Sequence, residues 1–88
     1  MIVDLRLSDG LPNLNIKVKG QRELEKIEVL RNSRVIKEYA VSEGRLDFDA
    51  LYADESFQEE KDVLYYYIRA TQKNKEIAWS SPIWVDRA

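Results

Sequence analysis

Apolar residues recur at every second position along nearly the whole chain, and no stretch holds the i, i+3, i+4, i+7 spacing of an amphipathic helix. Such a chain folds as strands, each with one face on a core. Val3, Leu5 and Leu7 alternate with Asp4 and Arg6. Ser8-Asp9-Gly10 and Pro12-Asn13 supply turn chemistry, after which Leu14, Ile16 and Val18 alternate with Asn15 and Lys17 as far as Gly20. Residues 21–26 are polar and too few for a stable helix, so they read as a connection. Ile27-Glu28-Val29-Leu30 and Val35-Ile36-Lys37-Glu38-Tyr39 flank Asn32-Ser33, the clearest tight-turn signal, and Asn there predicts a type I′ hairpin. That register sets Arg31 opposite Arg34, Leu30 opposite Val35 and Glu28 opposite Lys37, the last an attractive cross-strand pair. A fifth strand carries Leu46, Phe48 and Ala50, an acidic loop follows over residues 54–62, and residues 63–71 and 77–85 form a long closing hairpin. Pro82 cannot donate a ladder bond and belongs at an edge or bulge.

Seven short strands in 88 residues, with no repeat or linker, predict one all-β domain over residues 1–88. The expected architecture is a seven-stranded antiparallel sandwich of immunoglobulin or fibronectin type III style, with a small closed barrel as the alternative. In the closing hairpin Leu64, Tyr66, Ile68 and Ala70 share one face, which makes Tyr66 the candidate tyrosine-corner residue. Tyr65 and Tyr67 then point the other way.

Composition removes much chemistry. The chain has no Cys and no His, so thiolate nucleophiles, Cys/His zinc sites, disulfides and imidazole bases are excluded. Ser80 and Ser81 have no base to activate them. Asp47, Asp49, Asp54, Glu55, Glu59, Glu60 and Asp62 lack the spacing of a calcium loop, and a solvated acidic loop is expected there. Asp47 and Asp49 read as a glycosidic acid pair only if a substrate cleft encloses them, which so small a sandwich is not expected to offer. Fourteen Lys and Arg against 16 Asp and Glu give a net charge of −2, with no field to attract nucleic acid or anionic lipid. No apolar run reaches the roughly 20 residues of a membrane span, and Met1-Ile2-Val3-Asp4 leads into alternating charge rather than a signal sequence. A soluble, cytoplasmic protein without enzyme activity, metal or cofactor is expected. Its 34% charged residues suggest a thermophile-like surface of ion-pair networks.

Residues 65–72, Tyr65-Tyr66-Tyr67-Ile68-Arg69-Ala70-Thr71-Gln72, followed by Ile77-Ala78-Trp79-Ser80-Ser81-Pro82-Ile83-Trp84-Val85, resemble the end of metallohydrolase-like proteins of the polymerase-and-histidinol-phosphatase superfamily. Ile27-Glu28-Val29-Leu30-Arg31-Asn32 is similar to that group's first hairpin, with Ser33 where Gly is usual, and the likeness extends over residues 14–85. The resemblance implies a terminal β-sandwich accessory to a catalytic domain. The family's metal ligands are His and Asp of that preceding domain, so no catalytic residue carries over to a chain without His.

Tyr65, Tyr67, Arg69 and Trp79 fall on the outward face of the closing hairpin, and Tyr, Trp and Arg dominate binding hot spots. Arg69 falls opposite or diagonal to Trp79, where a guanidinium can lie over the indole. Leu30 and Val35 extend the apolar surface on the neighbouring hairpin, because Ile27, Val29 and Ile36 take its other face. These six residues are the candidate interaction surface, for a protein domain or a second copy of the chain. A stacking platform for carbohydrate, made by Trp79, Trp84 and the tyrosines, is the alternative. The bland reading is a stacked ladder that only stiffens the sheet, of the kind that Trp79-Ser80-Ser81 echoes from the WSxWS motif of cytokine-receptor fibronectin modules.

Overall fold

The computed structural model describes residues 1–8, 12–60 and 63–85, apart from the side chain of Glu59. The turn residues Asp9 and Gly10 and the acidic-loop residues Lys61 and Asp62 lie outside it. The described chain forms eight strands: β1 (Ile2–Ser8), β2 (Asn13–Lys19), β3 (Leu24–Arg31), β4 (Arg34–Ala40), β5 (Asp47–Ala53), β6 (Tyr65–Gln72), β7 (Ile77–Trp79) and β8 (Ile83–Trp84). A 3₁₀ turn, Phe57–Glu59, precedes β6. All pairings are antiparallel, in a smaller sheet ordered β1-β2-β5 and a larger one ordered β4-β3-β6-β7, with β8 also on β6.

Period-two alternation builds the core between the two sheets. Across the smaller sheet, Leu5, Ile16 and Ala50 form one inward row, Val3, Val18 and Phe48 a second, and Leu7, Leu14 and Tyr52 a third. Leu14, Ile16 and Val18 are buried against Ile27, Val29, Tyr66, Ile68 and Ala70 of the larger sheet. Each such Leu, Ile or Val contributes about 1.5–3 kcal/mol by leaving water.

Three departures from strict alternation correct the expected register. Leu24 and Ile27 are both buried although they are three residues apart, because Glu25 is an extra residue against β6. The third strand therefore starts at Leu24, inside the expected connection. Ile36 and Tyr39 are also three apart, yet both pack on the core, because Ile36 is the extra residue on β4. This bulge moves the register by one, so Glu28 faces Glu38 and Val29 faces Lys37. The predicted Glu28–Lys37 pair is not formed, whereas Leu30–Val35 and Arg31–Arg34 are. Asn32 and Ser33 have φ of 50° and 70°, as a type I′ turn requires. The last strand is broken as well. Ser80 turns inward and is buried; its N–H reaches the Ile68 carbonyl at 2.9 Å, and its Oγ takes the Ile68 N–H at 2.8 Å. Pairing resumes only at Ile83, after Pro82, so the expected single strand is two and the count is eight rather than seven.

Candidate interaction surface

The outer face of the larger sheet is built from residues that alternate with its core positions. Lys26, Glu28 and Leu30 come from β3, and Tyr65, Tyr67, Arg69 and Thr71 from β6. Trp79 lies opposite Arg69, Ile77 opposite Thr71, and Trp84 opposite Tyr65. The break at residues 80–82 is what puts both tryptophans on this face, since five residues of regular strand would set them on opposite sides. They are 58% and 63% exposed.

The rings form a row. Trp84 and Tyr65 have centroids 4.7 Å apart, and Tyr65 and Tyr67 are stacked at 6.3 Å with planes 9° apart. The Tyr65 hydroxyl and the Ser33 Oγ are 2.7 Å apart, tying the row to the type I′ turn. Arg69 is opposite Trp79, but its guanidinium turns to the other neighbour: Nε and Nη2 donate to the two Glu28 oxygens at 2.8 and 2.9 Å. This bidentate bond holds the Glu28 carboxyl below its ordinary range, the Arg69 charge adding to it against the effect of burial. The cation-over-ring contact among the described residues is instead Lys37 over Tyr39, at 5.1 Å. Beside Trp79 the face dips into a shallow hollow of about 330 Å³, walled by Trp79, Ile77, Arg69, Glu28, Thr71 and Lys26 among others.

Of the six predicted residues, Tyr65, Tyr67, Arg69 and Trp79 share this face, and Val35 joins them at its edge, 47% exposed. Leu30 does not reach the surface. Only 3% of it is exposed, as it sits between Tyr67 and Val35 in the row. Trp84, expected only as part of a carbohydrate platform, is the most exposed aromatic residue.

The opposite outer face is different in kind. On the smaller sheet Lys17 lies between Asp4 and Asp49, and Lys19 between Ile2 and Asp47, a mainly charged face on which, among the described residues, Ile2 and Leu51 are the exposed apolar ones and no aromatic ring appears.

At one end of the sandwich the first residue of the acidic loop departs from the expected solvation, while Glu55 beside it is exposed. Asp54 is fully buried, and so is Arg31 beneath it. Nη1 of Arg31 donates to both Asp54 oxygens at 2.9 Å and to Ser56 Oγ at 2.9 Å. The Tyr66 hydroxyl donates to the same carboxylate, so its partner is a side chain and not the backbone group of a tyrosine corner. Burial drives the Tyr66 hydroxyl far above its usual range, and the Asp54 carboxylate reinforces the shift. Glu60 adds a second carboxylate, 3.5 Å from Arg31 Nε and bonded to Arg34 and Asn32. Loop composition could not distinguish Asp54 from its solvated neighbours. The hint was Arg31, a cation in phase with Ile27 and Val29 on an inward face. Every group in this cluster is bonded to another, which suits it to clamp the loop and not to hold a ligand.

Among the described residues no group of acidic side chains is arranged to hold a metal, and no helix is long and apolar enough to cross a membrane. No family model matches the chain, and no solved structure does. It is similar to an uncharacterized protein of Chlamydia pneumoniae, 34% identical over 90 aligned residues that cover 85% of this chain and 14% of that protein. Uncharacterized proteins of Chlamydia trachomatis and Chlamydia muridarum are 28% and 29% identical over 76 residues, covering 78% of this chain and 12% of each. The chain thus spans about one seventh of the length of these relatives or less.

Proposed function

We propose that the protein is a non-catalytic sandwich module of immunoglobulin or fibronectin type III style, which docks on a protein surface through the outer face of its larger sheet. The observation that carries this reading is the contrast between the two outer faces. One is dominated by alternating Lys and Asp, with Ile2 and Leu51 as its exposed apolar residues, and the other carries Trp79, Trp84, Tyr65, Tyr67, Val35 and Ile77 around the Arg69–Glu28 ion pair. A stiffening ladder has no need of two tryptophans more than half exposed, whereas an interface does. Three strands opposite a sheet four strands wide, with a broken last strand, support the sandwich style.

The relatives support an accessory role, since in each of them the matching segment is a small part of a much longer chain. The likeness of the 77–85 segment to metallohydrolase-like proteins makes a catalytic domain of that class the kind of domain this module is expected to accompany. Ring geometry favours docking over carbohydrate stacking. A sugar needs an open aromatic face, and the Tyr65 ring at the centre of the row already contacts both Tyr67 and Trp84.

A photo-crosslinking amino acid at position 84, compared with one at position 17 on the charged face, tests the reading in cells that make the protein. Protein adducts are expected from position 84 alone. Equal or absent labelling from the two positions would refute the docking role.

A further inference from the structure

Building on that docking role, we infer that the partner on this face is a second copy of the chain, held by Trp84 of each copy in the hollow beside Trp79 of the other. Three observations carry it. The face has an exposed indole and a depression at different places, Trp84 opposite Tyr65 at one end and the hollow at Arg69, Thr71, Trp79 and Ile77 toward the other. A two-fold axis between them brings each indole to the partner's depression, and an isologous contact of that kind closes at two copies.

The hollow also suits an indole in size and chemistry. Its volume of about 330 Å³ accommodates a tryptophan side chain, and its walls offer the Trp79 ring, the Ile77 side chain and the Arg69 guanidinium, with the Glu25–Lys75 ion pair at its rim. An entering indole gains a cation–π contact from Arg69, which Glu28 already fixes in place.

Area and charge agree. With a Trp presenting about 150–250 Å² when open, the exposed fractions of Trp79 and Trp84, with Val35, Ile77 and the tyrosine edges, give on the order of 500 Å² of apolar surface. Two copies then bury about 1,000 Å², the lower bound for a specific interface. Lys26, Arg69 and Lys75 balance Glu25, Glu28 and Glu38 on the face, so two copies meet with no net charge between them.

The test is sedimentation equilibrium of the purified protein from about 10 µM to about 1 mM, the range in which an interface of this size dissociates. The wild-type chain is expected to dimerise, and Trp84→Ala and Trp79→Ala each to weaken the dimer about 30-fold or more. Leu51→Ala, which removes an exposed apolar residue of the other sheet, should leave it unchanged. Both tryptophans are exposed, and unchanged melting curves confirm that the variants fold. An equimolar mixture of the two Trp variants should associate more tightly than either alone, because one Trp84 then meets one intact hollow. A wild-type monomer at about 1 mM, or a mixture no tighter than its components, would overturn the inference. If the chain is monomeric while position 84 still crosslinks to a different protein, the second copy is overturned and the docking role stands; with no crosslink either, both fall.

Discussion

Arg31 and Asp54, 23 residues apart, meet as a buried pair in which one guanidinium nitrogen bridges both carboxylate oxygens at 2.9 Å. The pair joins the end of β3 to the loop after β5, and so links the two sheets. Ser56 and Tyr66 complete the carboxylate's bonding.

Removing one member of such a pair strands the other charge away from water. Asp54→Ala is expected to destabilise the fold by about 3–5 kcal/mol, as for other broken buried pairs. Urea denaturation measures it. A loss below about 1 kcal/mol, the size of a surface pair, would mean that the pair is not buried in solution.

Acid should act through the same carboxylate. Burial raises the affinity of Asp54 for a proton, but the bonds from Tyr66, Arg31 and Ser56 outweigh it, and the group is held below its ordinary value. Its contribution to stability is therefore present above the unfolded-state value of about 3.9 and lost as pH falls through the lower folded value. Melting temperatures of the wild type and Asp54→Asn should differ by a constant amount near neutrality and converge below about pH 4. A gap that persists undiminished at low pH would contradict this.

Tyr66 and Tyr67 are adjacent in sequence but face opposite ways. The Tyr66 hydroxyl is buried on Asp54, so Tyr66→Phe should cost about 1.5–3 kcal/mol, the range for a hydrogen bond to a charged group. Tyr67→Phe, at the outer face, should stay within about 0.5 kcal/mol of the wild type. Equal unfolding midpoints for the two variants would refute the assignment.

Gln72 is the clamp at the other end of the larger sheet. Its buried Oε1 accepts the N–H groups of Gln21 and Arg22 at 3.0 and 3.1 Å, and its Nε2 donates to Asn74 and Glu76. Gln72→Ala should cost about 1–3 kcal/mol and speed hydrogen exchange at the Gln21 and Arg22 amides more than at Ile68. Uniform acceleration across all three would show a general loss of stability and no local clamp.

Alternation made the strands legible, and the facing of each residue within a strand followed from it. Tyr65, Tyr67, Arg69 and Trp79 were legible as one surface because they lie in regular segments paired across a short turn. Leu24, Tyr39 and Trp84 were not, because each lies beyond an interruption that shifts the phase by one. Leu30 followed the phase but not the exposure, since the side chains that cover it come from β6 and β4.

The sequence by itself determined an all-β fold, the type I′ turn at Asn32-Ser33 and an outward row of aromatic side chains, because each depends on the period of a strand or the φ preference of a single residue. Only the tertiary structure decided where that period breaks and which charges are buried. A bulge forms where out-of-phase residues such as Ile36 and Tyr39 can both reach one core. A carboxylate such as Asp54 is buried only where an arginine from a distant strand and a tyrosine hydroxyl arrive to replace its water.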